Sequence, residues 1–220
     1  MPEIFCHTHN VVSCFYTALN KLLFGLYTLS HIKPIVFINL FSINALSEEN
    51  HIIKVIEKEW NRTQTLNGKF HQKIDGDKVI SGNFFIEKPY RSNFTYHNQA
   101  QNIITSKYFI NFVDKKGKLL DRYPIINQPI YKLFSKNINL NNIFHIKSVE
   151  QDQTEVKIKL APKDKNEIQI DLTFHSKDYL LKKWEIVDAL GQTTYLEFTN
   201  VKKNISIDQN LFIFEEKIEY

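Results

Sequence analysis

The chain has 220 residues, 43% hydrophobic and 24% charged, with a net charge of +4. This suits one globular domain, or one domain plus an extension. The lysines are spread along every segment, and Lys115-Lys116, Lys182-Lys183 and Lys202-Lys203 are isolated pairs. Nucleic-acid binding calls for a basic stripe with interleaved aromatics, so no nucleic-acid partner is expected. Seventeen Phe and ten Tyr against six Gly point to β-rich structure with large apolar surfaces.

The N-terminal 47 residues read as a segment apart. Residues 34–45 form a short apolar run preceded by Lys33. A spanning helix needs roughly 20 apolar residues, so this run is too short to cross a bilayer. It has the length of a signal-peptide core, and Ala45-Leu46-Ser47 places small residues where a signal peptidase reads them. Cleavage is expected after Ser47, or failing that after Ala45; the bland alternative is a buried element of the fold. Residues 1–31 make a poor basic leader, and one reading treats them as an extension upstream of a start near Ile32. Cys6, His7, His9 and Cys14 have the ligand types of a zinc site but not a usual spacing, so no metal site is expected. Val11-Val-Ser-Cys14 lacks an apolar core before it and makes a poor lipidation box. The domains expected are a signal peptide with start-site extension over 1–47 and a single domain over 48–220. The latter contains no cysteine, so core and sheet alone must stabilise an exported domain.

From Ser47 onward the elements follow in order. Ser47 has the chemistry to cap a helix starting at Glu48, with Glu48 and Glu49 complementing its dipole. Ile52, Ile53, Ile56 and Trp60 give that helix one apolar stripe, ending near Arg62. Leu66 to Ile74 alternates as a strand with one wet face, and Asp75-Gly76-Asp77 is a hairpin turn. In the next strand Ile80, Gly82, Phe84, Ile86 and Lys88 share one face, so a cation points the same way as apolar neighbours just where Pro89 ends the strand. Phe94 and Tyr96 resume the alternation. Residues 103–104, 108–113 and 119–123 are short further strands. Pro129 sits at a helix N1 position, and Ile130, Leu133 and Phe134 would form one short apolar face. Residues 135–142, rich in Asn and Ser, read as a loop. This region is either a moving lid or a helix packed permanently on the sheet. Strands follow at 144–148, 156–160, 168–174, 184–186 and 195–200, with 211–214 closing the chain. Counting every candidate gives about eleven strands, mostly joined by tight turns: mainly β with some α, an antiparallel sheet curled into a barrel or part of one.

Familiar catalytic motifs are missing. There is no glycine-rich phosphate loop, no His-Glu-x-x-His and no nucleophile elbow. His51, His71, His97, His145 and His175 are isolated, and the acidic pairs Asp75/Asp77 and Glu215/Glu216 lie in a turn and a tail. Carboxylates that work together must face one another across a pocket, so the chain is not expected to be an enzyme, and no cofactor is expected. A barrel of this many strands is wider than side chains can fill. Phe70, Ile80, Phe84, Ile86, Phe94 and Tyr96 are expected to line the resulting apolar cavity, which suits acyl chains. Lys88 and Arg91 would sit at its mouth with long stems and reaching charges.

Several of these stretches carry a family resemblance. Phe70-His-Gln72, Gly82-x-Phe84-x-Ile86-x-Lys88-Pro89 and Asn93-Phe94-x-Tyr96 come first. Leu160-Ala-Pro162-Lys163, Asp188-x-x-Gly191-Gln-Thr-Thr194 and Ile207-Asp-x-x-Leu-Phe212-x-Phe214 follow, all in the order seen in the LolA family of periplasmic lipoprotein carriers. The resemblance spans about residues 48–214. It implies an unclosed antiparallel β-barrel with an N-terminal helix and short lid helices. It also implies a monomeric periplasmic chaperone that takes lipoprotein acyl chains from an inner-membrane Lol ABC transporter. Delivery would be to an outer-membrane acceptor, LolB or the membrane directly. In this family the residue before the strand-ending proline is typically an arginine that holds the lid shut; here it is Lys88, and Arg91 is expected to share the lid contact. The lid itself would comprise Ile130, Leu133 and Phe134. The alternatives are a periplasmic sensor or scaffold of the same fold, or an outer-membrane receptor; such a receptor is lipidated on a cysteine after its signal, which residues 48–220 lack.

Overall fold

The computed structural model describes residues 41–74, 78–125, 128–164 and 167–215. Cys6, His7, His9, Cys14, most of the apolar run 34–45 and the turn Asp75-Gly76-Asp77 lie outside the described residues. The first element, α1 (Phe41–Arg62), is a helix of 22 residues. Ser47 is therefore inside the helix and does not cap it. Ala45 and Leu46 are good helix formers, and extending a helix adds a hydrogen bond per residue without a new nucleus. The stripe reads as expected: Ile52, Ile53, Ile56 and Trp60 are all buried in the core.

Eleven strands follow: β1 (Thr65–Ile74), β2 (Lys78–Glu87), β3 (Arg91–Tyr96), β4 (Gln101–Thr105), β5 (Phe109–Asp114), β6 (Leu119–Pro124), β7 (Phe144–Gln151), β8 (Glu155–Pro162), β9 (Gln169–His175), β10 (Leu181–Val187) and β11 (Thr193–Lys203). They form one sheet in the order β6-β5-β4-β3-β2-β1-β11-β10-β9-β8-β7, and every neighbouring pair is antiparallel. The sheet does not close, because β6 and β7 are its two edges. Nearest neighbours in sequence pair through short turns, and one long-range pairing, β1 with β11, joins the two halves.

That order has a consequence for the connection between β6 and β7. These strands are consecutive in sequence yet stand at opposite edges of the sheet, and the link between them, described over residues 128–143, crosses the open side of the curl. The crossing contains a 3-10 helix at Pro129–Phe134 and a one-turn helix, α2 (Leu140–Ile143). The loop expected over 135–142 thus runs into a helix. Asn139 makes this possible, its side chain accepting a hydrogen bond from the Asn142 amide at 3.0 Å. The strand expected at 211–214 is replaced by a 3-10 helix at Gln209–Phe212, capped by the Asp208 carboxylate. Asp208 competes for local backbone donors, which favours a turn over a ladder.

The core is one cluster shared by α1, the concave face of the sheet and the crossing segment. In β2 burial alternates through Ile80, Gly82, Phe84 and Ile86, as the sequence predicts. Gly82 faces Phe70 on β1 and Tyr96 on β3. A Cβ there would meet the Thr95 carbonyl oxygen and approach Phe70 Cε1 to 2.6 Å. Gly82→Ala should therefore lower stability by about 1–3 kcal/mol through overpacking. The check is the urea midpoint at unchanged slope; an unshifted midpoint would contradict this packing.

Candidate functional site

Between the β3–β6 half of the sheet, β10–β11 and the crossing segment lies an apolar cavity of about 120 Å³. Phe94 and Tyr96 line it from β3, Phe112 from β5, Trp184 from β10, and Ile130 and Phe134 from the 3-10 helix. Pockets that enclose a drug-sized ligand run to roughly 300–1,000 Å³. As it stands the cavity is small and partly open, and the segment carrying Gln128, Ile130, Tyr131 and Phe134 forms one of its walls.

Four of the expected lining residues lie elsewhere. Phe70, Ile80, Phe84 and Ile86 are 0%, 6%, 2% and 1% exposed and pack in the core behind the wall. Phe70 meets Phe94 and Tyr96 edge-on, with ring centroids 5.3 and 5.0 Å apart. Phe84 stacks on Phe94 at 6.2 Å and meets Phe198 edge-on at 4.9 Å. These rings fix the wall and do not form its surface. Of the lid residues, Ile130 and Phe134 face the cavity. Leu133 instead borders a gap of only about 10 Å³ against Ile56 and Trp60 of α1, so helix and crossing segment are closely packed.

The crossing segment is gripped by polar groups of α1. Trp60 Nε1 donates to the Leu133 carbonyl at 2.7 Å. Asn61 donates from Nδ2 to the Ile138 carbonyl at 3.0 Å and accepts the Ile138 amide at Oδ1, 2.8 Å. The Leu140 amide donates to Glu57 at 2.6 Å. Glu57 and Asn61 are one helical turn apart and flank Trp60, so a single face both enters the core and holds the strap. From the other side, the Tyr90 amide donates to the Phe134 carbonyl at 2.9 Å, and the Tyr90 and Tyr131 rings stack at 4.6 Å. Tyr90 adopts φ +69°, a left-handed conformation unfavourable for a side chain of its size and held here by these contacts. Burial, then the neighbouring Tyr90 and Tyr108, push the Tyr131 hydroxyl up to about 12. Burial also raises the Tyr96 hydroxyl above its ordinary range.

Lys88 is 7% exposed. Its ammonium donates to the Trp60 carbonyl in the last turn of α1 and lies 5.5 Å from the Trp60 ring centroid. A cation is favoured at a helix C-terminus and over an indole face. Lys88 thus reaches the strap through Trp60, which bonds the strap directly. Arg91, expected beside it, turns away: it pairs with Glu87 and Gln209, each at 2.6 Å, and stacks over Phe212 at 4.2 Å. It steadies the C-terminal 3-10 helix because Glu87 and Gln209 lie on that side. The sequence pattern singles out Trp60 only as part of the apolar stripe, and Glu57, Asn61 and Tyr90 not at all. For Glu57 and Asn61 the signal was polar residues at helical spacing around a tryptophan; Tyr90 carries none.

The described residues thus form an unclosed antiparallel barrel with an apolar cavity beneath a strap. The sequence model described as "Outer membrane lipoprotein carrier protein LolA" matches residues 61–215. The chain belongs to the LolA family, whose members are carriers and not enzymes. It is similar to the outer-membrane lipoprotein carrier protein of Halorhodospira halophila, 28% identical over 176 residues, covering 74% of this chain and 81% of the relative. Among solved structures it resembles an uncharacterized conserved protein of Thermus thermophilus (TM-score 0.47, 9% identity, 76% of this chain and 94% of that one). It also resembles Pseudomonas aeruginosa MucB in complex with MucA (TM-score 0.43, 14% identity, 74% and 60%). The chain spans about three fifths of the MucB chains it matches.

Burial lowers the Lys88 ammonium to about 8, from 10.5 in an unfolded chain. Between those values the unfolded state holds more protons, so the folded state gains stability as pH rises through the window and loses it as pH falls. The wild type should therefore gain melting temperature relative to Lys88→Leu between about pH 8 and 9.5. Parallel curves for the two proteins would refute the burial. A second expectation concerns the strap. Trp60→Phe keeps an aromatic ring, though a smaller one, and removes the Nε1 hydrogen bond, so exchange of the Tyr90 amide should speed up at least roughly fivefold to tenfold, with β8–β9 amides unchanged. Unaltered exchange at Tyr90 would show that Trp60 does not hold the strap.

Proposed function

We propose that the protein is a periplasmic chaperone that binds the acyl chains of lipoproteins in this cavity and carries them from the inner to the outer membrane. The observation that supports it most is the apolar cavity under a strap held by a few hydrogen bonds and the buried Leu133 and Phe134. Each methylene taken into such a cavity gains about 0.8 kcal/mol. A filled cavity therefore favours the strap displaced, and an empty one favours it shut.

On this reading an inner-membrane Lol ABC transporter loads the monomer and drives the strap aside. The chain then delivers its cargo to LolB or to the outer membrane directly. Residues 1–47 act as the export signal, and cleavage after Ser47 leaves α1 to start at Glu48. The packed side chains Phe70, Ile80, Phe84 and Ile86 keep the cavity wall in shape while Phe94, Tyr96, Ile130 and Phe134 touch the chains.

Two measurements test this. Protein purified from the periplasm should carry triacylated lipoprotein, and the delipidated protein should take up a fluorescent fatty acid. Absence of both would overturn the proposal. Lys88→Leu should fold and still bind, yet pass cargo to membranes more slowly, because Trp60 loses the group that anchors its carbonyl. Transfer at the wild-type rate would remove Lys88 from the mechanism while leaving the cavity's role intact.

A further inference from the structure

We propose that Gln72 recognises the carbonyl group of the bound acyl chain, so that the cavity selects acyl esters and amides over bare hydrocarbon of equal length. This rests on the acyl-binding reading above and adds a polar requirement to it.

Gln72 sits on β1, is 6% exposed and lines the cavity. Its Oε1 accepts the Tyr96 hydroxyl proton at 3.0 Å. The Tyr96 ring is itself fixed edge-on by Phe70, so the amide is held in one orientation. A primary amide has two N–H donors beside its oxygen. Among the described residues Nε2 of Gln72 has no partner, yet it is not sealed in by protein atoms; the enclosed unpaired side-chain atom is Asn67 Oδ1. The free donor therefore faces the cavity. A buried donor without an acceptor is destabilising, and a ligand that supplies one gains by it.

Ser92, also buried on the wall, is already engaged, as is the half-buried Thr105. The hydroxyls of Ser92 and Thr105 bond each other at 2.7 Å, and Thr105 donates onward to the Tyr90 carbonyl at 3.5 Å. Around Gln72 the surface is apolar, with Leu196 beside it and Phe94 and Trp184 beyond. Gln72 is the buried N–H donor of a largely apolar wall, Gln128 and Thr194 lining it only half-buried, and such a donor fits a ligand with one carbonyl oxygen on a long apolar chain. An ester-linked or amide-linked acyl group has that chemistry, and an alkane does not.

The test uses the purified full chain and displacement of a polarity-sensitive fluorescent probe by methyl palmitate and by hexadecane. Wild type should favour the ester by about tenfold, the size of one hydrogen bond. Gln72→Leu should lose that preference while still binding hexadecane, and Tyr96→Phe should weaken it. In the wild type the infrared carbonyl stretch of bound, carbon-13-labelled ester should sit at its hydrogen-bonded frequency, a readout that needs no variant. Equal binding of the two ligands by wild type, a preference retained in Gln72→Leu, or a free-carbonyl frequency would overturn the role of Gln72. Binding of neither ligand would overturn the acyl-binding reading, and this inference with it.

Discussion

A sheet that fails to close has two edges, and in this chain the two edge strands are consecutive in sequence. The link between β6 and β7 has no route except across the mouth. This constraint makes residues 128–143 a strap before any side chain is considered. The short apolar helices found there follow from it: a segment laid over an apolar opening must bury one face and satisfy its own backbone. Local turns do both in few residues.

The helix α1 gives the strap something to hold. Its apolar stripe fixes it in the core, and the same turns carry Glu57, Trp60 and Asn61 to the strap's backbone. Each such hydrogen bond contributes about 1 kcal/mol net. Burying Leu133 and Phe134 adds about 1.5–3 kcal/mol apiece. The hold is thus on the order of 10 kcal/mol, which about a dozen methylenes entering the cavity would match. A closure of that size is firm without cargo and reversible with it. Lys88 stands one step back, anchoring the end of α1 from which Trp60 reaches the strap.

Much of this was legible in the sequence. Alternation in β2 gave the buried face down to Lys88, and Ile52, Ile53, Ile56 and Trp60 gave the helix stripe, because both patterns are local. The number of strands and the unclosed barrel came from turns and from the family resemblance. What the sequence did not separate was wall from lining. Phe70 and Phe94 carry the same pattern, yet one is behind the other, and that depends on how strongly the sheet curls. Trp184 and Phe112 were visible as strand residues, but their meeting across the cavity depends on the β1–β11 pairing, more than a hundred residues apart in sequence. Arg91 was misjudged because its partner Gln209 lies near the far end of the chain.

The central claim is that the strap moves to admit acyl chains. Spin labels placed at Lys136 on the strap and at Lys107 on the β4–β5 turn, with Cys6 and Cys14 changed to Ser, would report it directly. A triacylated lipopeptide should shift the inter-label distance distribution to longer values, and its removal should restore the shorter one. An unchanged distribution with the lipopeptide demonstrably bound would contradict the account.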